Sequence, residues 1–246
     1  MDISNTCEWI DRIRVAFQNG DIALADSLAT EAIEATGGAP EVLEIGGIIA
    51  FELEDYGETI RLIEKAMVIA TLSIASQLCL ARAYIGHGKP ELAETGLEFL
   101  VEMAHRVPCN MLPDLTNACS SIERYDLALG VCREAAARHP EDDNAIFGAA
   151  FYMFRLGYPL ELIKNMMLKA IELNPMSNIY RLNITTVFLN LNQLDFAYEH
   201  ACKMCDDALR TVPCGCMVGR LRELFAHYGD QRRIDLLPNA KQNFGS

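Results

Sequence analysis

The sequence predicts an all-α fold, a solenoid of about six helical hairpins followed by a C-terminal capping helix. Two observations predict it. One small or aliphatic position recurs at Ala25, Thr59, Ala93, Ala128, Ile163 and Ala197, in steps of 34 or 35 residues, and a fixed period of that length marks a repeat architecture. Companions stand four residues further on, at Ala29, Ile63, Leu97, Cys132, Met167 and Ala201, and seven further on, at Ala32, Ala66, Leu100, Ala135, Ala170 and Met204. Steps of four and seven return to one face of a helix, so each trio is an apolar stripe. The many alanines in it let a neighbouring helix come close.

Each stripe belongs to the second helix of a hairpin, and a turn separates it from a first helix upstream. In repeat one (6–39) the turn is Asn19-Gly20-Asp21, in repeat three (74–108) His87-Gly88-Lys89-Pro90, and in repeat five (143–177) Leu156-Gly157-Tyr158-Pro159. Glycine ends a helix in a left-handed conformation and proline suits the first turn of the next. Repeats two (40–73), four (109–142) and six (178–212) fill the slot with Glu54-Asp55-Tyr56-Gly57, Glu123-Arg124-Tyr125-Asp126 and Asn192-Gln193-Leu194-Asp195, all polar turn formers. Between repeats, Gly37-Gly38-Ala39-Pro40, Val107-Pro108, His139-Pro140, Asn174-Pro175 and Val212-Pro213 stop helices. Residues 216–228, with Leu221, Leu224 and Phe225 at helical spacing, read as a capping helix, and 229–246 as a tail. No linker divides 1–228, which reads as a single solenoid.

These residues resemble the tetratricopeptide repeat family over roughly residues 6–211, best in Leu80-Ala81-Arg82-Ala83-Tyr84 followed by Gly88, Ala93, Leu97 and Leu100. Repeat one adds Trp9, Gly20, Ala25 and Ala32, and repeat five adds Gly157, Ala170 and Leu173-Asn174-Pro175. Repeat four departs from the pattern at Thr116 and Cys119. The resemblance implies a right-handed α-solenoid, because no single hairpin buries its own apolar face and stacked neighbours must shield one another. It also implies that the first helix of each repeat lines a concave, peptide-binding groove. Mapped on this chain, the lining is Ile10, Arg14 and Phe17; Ile48 and Phe51; Leu78, Arg82 and Ile85; Asn117, Ser120 and Ser121; Phe147, Phe151, Phe154 and Arg155; and Leu182, Thr186 and Leu189. The lysines with which a chaperone-tail adaptor grips carboxylates are missing. A groove of this composition suits an apolar or amphipathic segment instead. Phenylalanines at helical spacing are also what a core contains, so Phe147, Phe151 and Phe154 are either packed between repeats or part of that surface.

The chain has 246 residues, 51% hydrophobic and 22% charged, with a formal charge of −13. That sign argues against a nucleic-acid binder and against attachment to an anionic membrane by a basic patch. The start MDISNTCEWIDRIR has no basic region followed by an apolar one, and the longest apolar runs fall below the roughly 20 residues of a membrane span, so a cytoplasmic chain is expected. The nine cysteines are an odd count, better suited to reduced thiols than to a disulfide framework. Cys202, Cys205, Cys214 and Cys216 admit three readings: a four-thiolate zinc site, a reactive dithiol, or ordinary packed thiols. The five histidines fall mostly at helix ends and turns, and none of the HExxH, Walker, GxSxG or GxGxxG signatures is present.

The expected function is therefore a non-enzymatic interaction module, an adaptor, assembly factor or chaperone, with another protein as partner and with no cofactor. The alternatives are a structural subunit of an oligomer or larger assembly and a regulator built on the C-terminal cysteines.

Overall fold

The computed structural model describes residues 3–238, with side chains from Thr6 onward. The helices are α1 (Ile3–Gln18), α2 (Ile22–Thr36), α3 (Pro40–Glu52), α4 (Tyr56–Ile69), α5 (Ile74–Gly86), α6 (Pro90–Glu102), α7 (Leu112–Ser121), α8 (Tyr125–Arg138), α9 (Asp143–Arg155), α10 (Leu160–Leu173), α11 (Asn178–Asn190), α12 (Leu194–Ala201), α13 (Asp206–Arg210), α14 (Gly215–His227) and α15 (Gln231–Leu236). Two single 3₁₀ turns, Ala104–Arg106 and Cys109–Met111, precede α7, and no strand occurs among the described residues. The fold is an all-α solenoid of helical hairpins.

One backbone device shapes every hairpin. The N–H of Gly20 donates to Phe17 O and that of Asp21 to Ala16 O, both at 3.0 Å. The same pair of bonds recurs at Glu54/Asp55, Gly88/Lys89, Glu123/Arg124, Gly157/Tyr158, Asn192/Gln193 and Gly229/Asp230. It satisfies carbonyls that the end of a helix leaves over, and it requires a left-handed residue at its first position. Glycine supplies that conformation in four turns, while Glu54, Glu123 and Asn192 adopt it with φ of 60, 60 and 57°. The next helix then starts on a cap: Asp21 accepts from Leu24 N–H and Asp55 from Glu58 N–H.

The three periodic columns form the core. All their residues are buried except Ala135, which is half-buried. The chain divides into two compact units, Met1–Val131 and Cys132–Ser246, with α8 crossing from one to the other. In the first, hairpins α1/α2, α3/α4 and α5/α6 stack in sequence, and the first helices α1, α3, α5 and α7 lie side by side. Small residues permit the closest approaches: a Cβ on Gly47 would meet Ile63 Cδ1 at 3.0 Å and Cγ1 closer still. Arg124 ties α6 to the start of α8, reaching Glu94 at 2.5 Å, Glu98 at 2.7 Å and Asp126 at 2.8 Å.

In the second unit, α9/α10 and α11/α12 are hairpins, and α14 packs on α12 and α15. Two expectations are corrected here. The stripe Ala197, Ala201 and Met204 does not lie on one helix, because α12 ends at Ala201. Asn178 holds the chain open just beyond, its Oδ1 accepting Cys205 N–H at 3.0 Å and its Nδ2 donating to Cys205 Sγ at 3.3 Å, and Asp206 and Asp207 then favour a new helix start. The segment 229–246 is not a plain tail either, since α15 follows the left-handed Gly229 and an Asp230 cap. Tyr198 fastens this hairpin, stacking on Tyr228 at 4.2 Å and donating to Asp230 at 3.0 Å. Residues 239–246 lie outside the described residues.

Candidate functional site

In Met1–Val131 the faces of α1, α3 and α5 enclose a cleft of about 490 Å³. Four of the expected groove residues, Ile10, Arg14, Phe17 and Ile48, line it. Ile45 and Ile49 complete an apolar floor, and Glu41 and Glu44 stand beside it. Glu41, Glu44 and Ile45 were not singled out in the sequence, although they continue the stripe of Ile48 by steps of three, four and seven toward the start of α3. Glu44 also accepts the backbone N–H of Ser73 at 3.0 Å, fastening the entry of α5. The cleft's two serines are engaged locally, Ser73 capping α5 through Ser76 N–H and the two hydroxyls lying 2.9 Å apart.

Further along the same helices, Phe51 of α3 lies under the guanidinium of Arg82 of α5, 4.8 Å from its ring centroid, and 5.6 Å from the ring of Tyr56. Arg82 in turn reaches Asp114 of α7 at 3.5 Å. A cation over an aromatic face contributes about 0.5–1 kcal/mol at an exposed site, and the partly exposed ion pair little more. The arrangement therefore positions Arg82 without locking it. Leu78 does not belong to this surface, being only 3% exposed. It stands one turn before Arg82 on α5, which has α3 on one side and α7 on the other; a leucine is enclosed there, whereas the longer arginine stem carries its head outward. Ile85 is half-buried and Asn117 exposed. Behind Arg82, burial pushes the Cys79 thiol up to about 12, as suits an inert packed cysteine.

The second unit carries an aromatic face. Phe147 stacks on Tyr180 at 4.3 Å and lies 6.3 Å from Phe151, joining α9 to α11. The Tyr180 hydroxyl donates to Asp143 at 2.7 Å, and Asn174 Nδ2 donates to the same carboxylate at 2.9 Å. Burial works to raise the Asp143 pKa, but these two bonds, together with the backbone N–H groups of Asp143 and Asn144, hold the carboxyl below its usual range. Phe147, Phe151 and Phe154 are half-buried, so they belong wholly neither to the core nor to solvent. Leu182 and Leu189 are half-buried on α11, and Arg155 is exposed.

A larger cleft, about 640 Å³, opens between the end of α4, α5 and α6, lined by Met67 to Leu72, Leu80, Tyr84 and Leu92. Val68 in its lining is 84% exposed. The four thiols of the zinc reading do not assemble: no group of three or more potential ligands is gathered among the described residues. The reason is the break after α12, which takes Cys202 and Cys205 off a common helical face. Cys202 Sγ turns back to Glu199 O, and Cys205 is held by Asn178. No described helix is long and apolar enough to cross a membrane.

No family model and no curated protein matches the sequence. Solved structures do match. The C-terminal part of a TPR repeat-containing protein from Cytophaga hutchinsonii aligns at 14% identity over 91% of this chain and 90% of that one, with a TM-score of 0.68. YrrB, described as a TPR protein with an unusual peptide-binding site, aligns at 17% identity over 75% of this chain and 90% of its own, with a TM-score of 0.56. MamA of MSR-1 aligns at 18% identity over 67% and 93%, with a TM-score of 0.54. With the repeated left-handed turns and the buried columns, these alignments identify the fold as that of the tetratricopeptide repeat proteins.

Proposed function

We propose that the chain is a non-enzymatic protein-interaction module whose cleft between α1, α3 and α5 holds an apolar or amphipathic segment of another protein, in the manner of an adaptor, assembly factor or chaperone. The observation that carries this reading is the cleft itself, a floor of Ile10, Phe17, Ile45 and Ile48 with Glu41, Glu44 and Arg14 around it. Apolar anchors entering such a floor supply affinity, and the charges around it set register and orientation. The two carboxylates against one guanidinium favour a segment with a lysine or arginine near its anchors. A TPR fold that carries a peptide-binding site in YrrB supports the same reading by analogy.

Selection of displayed peptides against the full chain tests it. Enriched peptides should combine apolar residues at helical or alternate spacing with a basic residue. Ile48→Gln should weaken them about tenfold, the loss of roughly one buried aliphatic contact, while the urea midpoint moves little. Glu41→Lys should select against the basic residue. Peptides that bind both variants as well as the parent chain would refute the site.

The exposed apolar end of α4 favours a second reading, a subunit that assembles through its second-helix side. It predicts a mass that rises with concentration in light scattering, equally in the Ile48→Gln variant.

A further inference from the structure

The cleft between the end of α4, α5 and α6 takes no part in the peptide site, and the repeat period explains why it is there. Gly96 of α6 stands where repeats one, two and four carry the buried Leu28, Leu62 and Val131. In repeat two, Leu62 Cδ1 fills the space beside α3, 3.3 Å from where a Cβ on Gly46 would be. Repeat three exchanges the two sizes, with Leu80 at the place of Gly46 and glycine at the place of Leu62. The exchange does not refill the space: nothing stands within 4 Å of a Cβ on Gly96, which lines the cleft of about 640 Å³. A protrusion stands at the same cleft. Met67, Val68 and Ile69, in the last turn of α4, are 52, 84 and 56% exposed. Val68 occupies the position at which repeats one, three and five carry the exposed Glu34, Glu102 and Glu172. An acid there keeps a second-helix surface in water, whereas here that surface is apolar. Among the described residues, no charged side chain lines this cleft, while Glu41, Glu44 and Arg14 stand in the peptide cleft.

We propose, resting on the assembly reading above, that two copies of the chain join through this face about a twofold axis, with Val68 of each copy seated in the cleft before Gly96 of the other. Two features select a second copy as the occupant. A protrusion and a cavity on one face make that face complementary to itself, and under twofold symmetry each copy supplies what the other lacks. Two chains that each carry a formal charge of −13 repel, so they meet closely only where neither presents charge, and this uncharged lining meets that condition. Every apolar group of the face is buried twice in the pair, which doubles the gain from a small patch. The peptide cleft is lined by other residues and stays open in such a dimer's sequence of contacts, since neither Val68 nor Gly96 belongs to it.

Sedimentation equilibrium of the full chain, from low to high micromolar concentration, tests this. A monomer–dimer equilibrium is expected, and added salt should tighten it by screening the repulsion between the two chains. Val68→Glu, which installs the residue of three sister repeats, should raise the dimer Kd about tenfold or more, because the symmetric contact then has to bury two carboxylates. Gly96→Leu, which fills the cavity from within, should do the same. At low concentration its helicity and urea midpoint should hold or rise, as leucine suits a helix better than glycine. Ile48→Gln should leave the dimer as it is. A mass that rises with concentration yet ignores both Val68→Glu and Gly96→Leu would overturn this contact and leave assembly through another face. A chain that stays monomeric throughout would overturn the contact together with the assembly reading, leaving the cleft to a partner of another kind. A dimer that salt weakens would be held by ionic pairs and would overturn it as well.

Discussion

Replacing Gly47 by alanine tests how closely α3 and α4 are packed. The added methyl would come within 3.0 Å of Ile63 Cδ1 and closer to Cγ1, with Thr59 O of the same helix at 3.5 Å. Ile63 is fully buried and has nowhere to swing. Overpacking of this kind costs about 1–3 kcal/mol, and so near an approach belongs at the upper end. Alanine in a helix interior returns about 1 kcal/mol, leaving a net loss of about 2 kcal/mol. For a chain of this size that lowers Tm by roughly 4–8 °C. Urea unfolding followed by circular dichroism gives the free energies directly. Ile63→Ala alone should cost about 2–5 kcal/mol by leaving a cavity. The double variant should cost less than the sum by at least about 1 kcal/mol, because each change accommodates the other. Gly96→Ala is the control: nothing stands within 4 Å of its new Cβ, so it should stabilise by up to about 1 kcal/mol. A neutral Gly47→Ala, or strict additivity in the double variant, would refute the packing argument.

Two other predictions concern the turns and the second unit. Glu54→Gly relieves a left-handed non-glycine residue worth about 1–2 kcal/mol and gives back about 0.4–1 kcal/mol in unfolded-chain freedom. A stabilisation of about 0.5–1 kcal/mol should appear in the urea midpoint, and a loss would show that the turn is not strained. His200 is half-buried against Phe188, 5.5 Å between ring centroids, and its Nδ1 has no hydrogen-bond partner. Burial chiefly lowers its pKa, aided by Arg181 and Lys203 and opposed by Glu199. The unfolded chain therefore binds this proton more readily, so stability should fall as pH drops below about 6.5 toward the folded pKa. In His200→Leu the urea midpoint should change less between pH 7.5 and 5.5 than in the parent chain. An equal change in both would remove His200 as the cause.

The fold was legible because burial and period are the same fact seen twice. A residue such as Ala25 or Ile163 must face its neighbours in every copy, and its column survives changes of side chain. The cleft was partly legible for a related reason. Arg14, Phe17 and Ile48 sit on faces that the period fixes, but the sequence could not tell how deep between two flanking helices a given position lies. Leu78 and Arg82 share one stripe of α5, and only the length of the side chain separates the enclosed residue from the exposed one. Glu41 and Glu44 were missed since acidic residues early in a helix also have an ordinary role there. The break after Ala201 depends on Asn178, 27 residues away in sequence, and no local pattern announces it.

The left-handed turns bear on how such a chain drifts over evolutionary time. Their bonds run from main chain to main chain, so the side chain at that corner is released from any duty except tolerating its torsion angle. Glutamate and asparagine stand in three corners where the others carry glycine, with the same geometry. Motif profiles score identities, and at these corners the geometry asks for no particular one. Two such proteins can therefore superpose well while sharing almost no recognisable letters.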